Sequence, residues 1–251
     1  MQIDSDVLDV LSRSTCRDQQ LFLPQGQLER KLYERVNKVL DAMGGKWKGG
    51  KVKAHLFEDE VQPLLAEVIA TELMPPKNPL AFYETPADLA WRMVSLLVGM
   101  PTTVLEPSAG NGAIMQKIRT EFPCETVVHA VELDPKRVKT LREKDPFVTI
   151  WETDFLQFSG GPYEAILMNP PFAVARDKKE YLSHIDHAID LLAPGGQLIG
   201  IAPAGLCFNT DRRTTGVRQR IREKGHIEEL PRDTFRVAGT SVATVLVTLT
   251  K

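Results

Sequence analysis

Cysteine is scarce in this chain. Cys16, Cys124 and Cys207 stand far apart, and an odd, scattered set fits neither a disulfide framework nor a zinc site with closely spaced ligands. Long apolar runs are missing as well: the stretches around Ile166 and Leu198 fall far short of the roughly 20 residues that a membrane span requires. The opening Met1-Gln2-Ile3-Asp4 is acidic, unlike a basic secretory leader, so a cytoplasmic protein is expected. Charge of one sign is not in excess either. A formal net charge of -2 gives no global attraction to nucleic acid, so such a partner must be met by local patches. Repeats and low-complexity tracts are absent. With 251 residues, 43% hydrophobic and 25% charged, the chain can fill one large domain plus an extension.

From Thr103 onward, short apolar runs alternate with helical stretches. The runs are Thr103 to Leu105, Val127 to Val131, Val148 to Trp151, Ala165 to Met168, and Leu198 to Ala202. Strands separated by helices predict a wound, mostly parallel α/β sheet with helices on both faces. Ile227 to Leu230, then a loop through Pro231 and Gly239, then the β-branched Val242 to Leu249 predict a paired final couple, for seven strands in all. Residues 1–79 read differently, as a small, mainly helical extension. Leu28 to Met43 and Val61 to Leu73 have helical spacing, and between them Gly44 to Phe57 suits a glycine-turned hairpin. Met74-Pro75-Pro76-Lys77-Asn78-Pro79 is the natural linker to a second domain over 80–251.

The chemistry concentrates at strand ends. Directly behind Ala165 to Met168 comes Asn169-Pro170-Pro171-Phe172. Two prolines remove two backbone donors and fix two φ angles, so the turn is rigid and its carbonyls can accept hydrogen bonds from outside the chain. Leu105-Glu106-Pro107-Ser108-Ala109-Gly110-Asn111-Gly112 follows the first strand and opens a helix; its small residues allow close backbone approach to a ligand. A dinucleotide loop is disfavoured, since the third glycine is absent and Glu106 begins the segment. Glu132 ends the second strand, where a carboxylate can hold a ribose diol, and Asp154 with Phe155 offers an acceptor and an apolar face to an adenine ring. Taken singly, each has a folding role available: a strand-terminating turn, a solvated acid, a helix cap. Three acids at successive strand ends are hard to explain by folding alone.

These segments in this order, preceded by Phe82-Tyr83-Glu84-Thr85-Pro86, resemble the S-adenosylmethionine-dependent amino-methyltransferases, most closely the DNA adenine-N6 branch, over roughly residues 80 to 251. The resemblance implies a Rossmann-like class I methyltransferase fold with S-adenosyl-L-methionine as cofactor. It also implies that Tyr83, Thr85 and Pro86 meet the methionine end of the cofactor and that Glu106, Pro107, Ser108, Gly110, Asn111 and Gly112 wrap it. Glu132 and Leu133 would meet the ribose, and Asp154 and Phe155 the adenine. The activity implied is methyl transfer to the N6 amine of a flipped-out adenine in DNA. Asn169 and Pro170 would accept the amine's hydrogens, Pro171 would stiffen the turn and Phe172 would stack on the base. The same turn suits other planar nitrogens: guanine N2 or adenine N6 in RNA, or a protein glutamine amide. A non-catalytic module that merely binds cofactor or nucleic acid is a further reading, although such a module would be expected to have lost Asn169 or the acids. No metal is called for.

Sequence-specific DNA enzymes of this segment order commonly carry a recognition domain after the sheet. None is read here, so recognition is expected from residues 1–80, from short loops or from a partner chain. Two cationic patches stand out. Lys46, Trp47, Lys48, Lys51, Lys53 and His55 combine cations with an aromatic in a glycine-rich hairpin, as a phosphate-tracking element would. Arg212, Arg213, Arg218, Arg220, Arg222 and Lys224 form the second, for which a solvated helix face is an equal reading. His184 and His187, three apart on a helix, are expected at surface or edge positions.

Overall fold

The structure, a computed structural model, describes residues 2–75, 83–174, 177–236, 240 and 242–251. Pro76 to Pro79 of the expected linker, Phe82 and Gly239 lie outside the described residues. The chain divides into two compact units, 1–79 and 80–251.

The first unit runs α1 (Ser5–Ser12), β1 (Thr15–Arg17), β2 (Gln20–Phe22), α2 (Arg30–Ala42), β3 (Lys46–Lys48), β4 (Ala54–Leu56) and α3 (Val61–Thr71). The two expected helices and the hairpin β3–β4 are present. A further helix, α1, and a second hairpin, β1–β2, join them in an antiparallel sheet of order β1-β2-β4-β3. Val36, Val39 and Leu40 of α2 fall at helical spacing and are buried with Val7, Leu11, Leu21 and Leu65 in the unit's own core. Gly44, at φ 93°, ends α2 in the left-handed conformation and turns the chain into β3.

The second unit runs α4 (Ala87–Ser95), β5 (Thr103–Glu106), α5 (Ala113–Glu121), β6 (Val127–Glu132), α6 (Pro135–Lys144), β7 (Thr149–Glu152), a short 3₁₀ turn (Phe155–Gln157), β8 (Tyr163–Met168), α7 (Glu180–Leu191), β9 (Leu192–Pro203), α8 (Gly205–Phe208), α9 (Arg212–Lys224), β10 (Gly225–Glu229) and β11 (Thr244–Thr250). All seven expected strands pair in one sheet of order β10-β11-β9-β8-β5-β6-β7, and β11 alone runs antiparallel to its neighbours. Strands covered on both faces read as unbroken apolar runs, and Ala165 to Met168 of β8 are fully buried. Right-handed crossovers put α5 and α6 on one face and α7 on the other. The sheet corrects one local expectation. Leu191 to Gly196 reads as a helix end and a turn, yet pairing already begins at Leu192, opposite Tyr163, and the ladder slips before Ala165 meets Gln197. Gly195, at φ 78°, lies within that irregular stretch.

The chain order matters for function. From β5 it winds outward through β6 and β7, then returns to place β8 on the other side of β5. Such a reversal opens a crevice outside the carboxyl ends of β5 and β8, where ligands of open α/β sheets bind.

Candidate functional site

The crevice is a real cavity. It encloses about 870 Å³, counting the space at its open mouth, and its walls come from the carboxyl ends of β5, β6, β7 and β8. Tyr83, Thr85, Glu106, Pro107, Ser108, Asn111, Glu132, Leu133, Asp154, Phe155, Asn169, Pro170 and Pro171 all line it, drawing together segments nearly ninety residues apart. Pro86, Gly110, Gly112 and Phe172 are not among the lining residues. Pro86 instead accepts the Ala90 N–H at the start of α4. The glycines act through backbone: Gly110 sits at φ 56° and Gly112 at φ 82°. A Cβ on Gly112 would lie 2.7 Å from Leu141 Cδ2, so the loop turns there against α6.

Each acid has a local reason for its position. Glu106 is buried, and its Oε2 accepts the Met115 N–H at 2.8 Å, satisfying one of the free donors in the first turn of α5. Burial, with a smaller contribution from nearby Glu132, raises its pKa well above the ordinary value of 4.5. Glu132 accepts the Gly110 N–H on Oε2 at 2.7 Å and the Asp134 N–H on Oε1 at 2.9 Å, tying the end of β6 to the glycine loop. Asp134, next but one, caps α6 through the Lys136 N–H. Asp154 Oδ1 accepts the Leu156 N–H at 3.0 Å and so caps the 3₁₀ turn that carries Phe155. The folding reading of Asp154 as a cap therefore holds, and it also lines the cavity. Glu84, Glu132, Asp154 and Glu180 against Arg137 give the wall an excess of acids, which suits a cationic ligand.

Asn169 is held in a defined orientation. Its Nδ2 donates to the Tyr83 carbonyl at 2.9 Å and to Thr85 Oγ1 at 3.1 Å. Both amide hydrogens are thereby used, and Oδ1 remains as an acceptor. Thr85, itself buried, thus serves as an anchor for the turn.

Phe172 departs from its expected place. Its ring is 8% exposed and packs 6.4 Å, centroid to centroid, from both Tyr83 and Phe235, so it forms the backing of the turn rather than a free stacking face. His184 departs further. Expected near the surface, it is 5% exposed, lines the cavity, lies 5.3 Å from the Phe155 ring and brings Nδ1 to 3.4 Å from Ser108 Oγ. His187 Nε2 meets the Phe158 carbonyl at 2.8 Å. No group of His, Cys, Asp and Glu able to hold a metal occurs among the described residues. Glu180, one helical turn before His184, was likewise not read from the sequence as a cavity residue.

The cationic patches fare differently. Lys46, Trp47, Lys48, Lys51 and Lys53 are exposed on and around the β3–β4 hairpin. His55 is not part of that surface. It faces inward at 1% exposure, its Nε2 2.9 Å from Asn37 Oδ1, and burial lowers its pKa. On α9, Arg213 pairs with Asp177 at 2.6 Å, Arg218 caps the carbonyls of Leu206 and Asn209, and Arg220 pairs with Asp186 and Asp190. These three are engaged by partners within the unit. Arg212 is exposed in the first turn of the helix.

Comparison with known proteins adds to this geometry. Residues 90–211, just under half the chain, match the family model of the methyltransferase small domain. The tRNA1(Val) (adenine(37)-N6)-methyltransferase of Aeromonas hydrophila is 29% identical over 133 residues, covering 43% of this chain and 56% of the relative. The type II restriction enzyme and methyltransferase RM.BcgI of Heyndrickxia coagulans is 23% identical over 199 residues, 67% of this chain and 31% of the relative. The chain thus spans about half or less of the length of these curated relatives. Among solved structures, the type I restriction-modification system methyltransferase subunit from Streptococcus thermophilus superposes with a TM-score of 0.59 at 16% identity, covering 74% of this chain and 48% of that one. The second unit has the Rossmann-like class I methyltransferase fold.

Proposed function

We propose that this chain, a class I methyltransferase by fold, transfers a methyl group from S-adenosylmethionine to the exocyclic N6 amine of adenine in DNA. The observation that carries the reading is the fixed Asn169 side chain. With Nδ2 committed to Tyr83 and Thr85, Oδ1 can only accept, as a planar amino group requires.

The residues fit the donor. Bound in the cavity, S-adenosylmethionine supplies an electrophilic methyl group on a sulfonium centre. The acid-rich wall favours its positive charge. Each Glu132 oxygen already accepts one backbone N–H and keeps a second lone pair for a ribose hydroxyl. Asp154 and Phe155 offer an acceptor and an apolar ring to the adenine, and Tyr83 and Thr85, which line the same cavity, are assigned to the methionine end.

The chain's own contribution to chemistry is directed at the amine. An aromatic amine is a weak nucleophile because its lone pair is delocalised into the ring. Accepting its two hydrogens at Asn169 Oδ1 and the Pro170 carbonyl draws the nitrogen toward tetrahedral geometry, and two fixed dipoles meet the developing positive charge. Pro170 and Pro171 hold those dipoles rigid, and Phe172 locks the turn from behind. No strong base takes part.

The DNA assignment is supported by the similarity to the restriction enzyme and methyltransferase RM.BcgI and by the exposed lysine hairpin. Adenine N6 in RNA is the second reading, favoured by the tRNA-modifying relative. The test is to offer donor labelled on its methyl group with duplex DNA, single-stranded DNA, tRNA or cell protein. Label in DNA is expected. Label in tRNA alone moves the substrate to RNA, and label in protein alone overturns the nucleic-acid reading.

A further inference from the structure

Large aromatic side chains exposed on a rigid turn beside a reaction centre call for a reason. Phe208 is 69% exposed, the last residue of α8. The register of the sheet fixes where that turn stands. Met168 pairs with Gly200, so the Asn169–Pro171 turn and the Ile201–Pro203 end of β9 leave the same carboxyl edge side by side, and α8 follows two residues later.

The turn is ordered rather than loose. Cys207 donates its N–H to the Ala204 carbonyl and Asn209 to Gly205, while Arg218 Nη1 bonds the Leu206 carbonyl at 3.0 Å and the Asn209 carbonyl at 2.8 Å. Leu206 is fully buried and anchors the turn in the core. The backbone thus holds the Phe208 ring toward solvent while its neighbour two positions back goes inside. Arg212, exposed four residues on, adds a cation that can meet a phosphate.

We propose that Phe208 is a stacking platform for a base flanking the target adenine, with Arg212 on the adjoining phosphate. The inference rests on the nucleic-acid reading of the substrate given above. A ring face is sequence-tolerant, since every base has a π-face to offer. It also fills a need. Phe172, the aromatic of the catalytic turn, is packed away, and a strand from which a base has been extruded must be gripped on either side.

The experiment uses the full chain and a fluorescently labelled mixed-sequence oligonucleotide, with affinity read by anisotropy alongside transfer kinetics. Phe208→Ala is expected to weaken oligonucleotide binding about 5- to 150-fold, the fold-change corresponding to about 1–3 kcal/mol for one stacked base. KM should rise with it, while affinity for S-adenosylhomocysteine and the melting temperature stay at wild-type values. Phe208→Trp should keep oligonucleotide affinity and Phe208→Leu should not. Unchanged affinity in the alanine variant overturns the proposal, as does full recovery by leucine, which has no π-face. Wild-type protein that binds the oligonucleotide in a Phe208-dependent way but transfers no methyl group would sink the catalytic reading and leave this one standing. Wild-type protein that binds no nucleic acid would remove both.

Discussion

Replacing Asn169 by alanine removes one of the two acceptors proposed to meet the substrate amine. Deleting a single preorganised group that meets developing charge costs about 2.7–4 kcal/mol in the barrier, or 10² to 10³ in kcat. The same change strips the donor from the Tyr83 carbonyl and from the buried Thr85 hydroxyl. Each lost bond weakens folding by about 1 kcal/mol, a melting shift of several degrees that leaves the protein folded at assay temperature. The donor cavity is lined on its other sides by Glu106, Glu132 and Asp154, which the substitution does not touch. Single-turnover transfer to adenine-containing DNA should therefore fall 10²-fold or more, while S-adenosylhomocysteine binding by calorimetry changes by less than about fivefold, under 1 kcal/mol. Thr85→Val provides an internal scale. It frees one Nδ2 hydrogen but keeps Oδ1, so a loss of about tenfold is expected, on the order of one hydrogen bond. An alanine variant whose turnover stays within about threefold of wild type would refute the reasoning.

Four further outcomes follow from the same structure. Glu106, with its pKa raised by burial, contributes stability in full below about pH 4.5 and loses it as pH rises toward its elevated pKa, because the folded state then holds a proton that the unfolded state has released; Glu106→Gln, which keeps an acceptor for Met115, should flatten that decline in melting temperature as pH rises above 4.5, and an unaltered pH profile counts against it. Gly112→Ala puts a methyl 2.7 Å from Leu141 Cδ2 at φ 82°; a loss of about 1–3 kcal/mol in urea denaturation is expected, and none would mean the loop relaxes freely. Lys46→Glu with Lys48→Glu should weaken DNA binding and lower the slope of log K against log salt by about 1 per lost phosphate contact, whereas Arg213→Ala should chiefly lower the melting temperature through Asp177. An unchanged salt slope removes the hairpin from the contact surface.

The seven strands were legible in the sequence because a sheet covered on both faces demands unbroken apolar runs, and Ala165 to Met168 or Val245 to Val247 have few other uses. The strand-end acids were legible for a related reason. A carboxylate directly after such a run has to sit at the sheet's edge, and Glu106, Glu132 and Asp154 do line one cavity. The β1–β2 hairpin was not, since each strand has three residues, only Leu21 is fully buried, and the turn uses Asp18 at φ 50° where a glycine would have signalled it. His184 was expected at the surface or an edge because its neighbours, Ser108 and Phe155, are far away in sequence, and a histidine pair on an amphipathic helix carries no mark of burial. Phe172 shows the opposite limit. Its place in the motif suggested an open ring, while its packing partner Phe235, some sixty residues on, could be found only in the fold.

In the proposed reaction the fixed oxygen of Asn169 and the Pro170 carbonyl present an adenine amine to a methyl donor. The most direct test is to incubate the protein with DNA and a donor carrying a deuterated methyl group, digest the DNA to nucleosides and locate the label by mass spectrometry. Trideuteromethyl at N6 of deoxyadenosine is expected, and its loss in Asn169→Ala. Label on a ring carbon or on a guanine or cytosine amine, or N6 label undiminished in the variant, would contradict it.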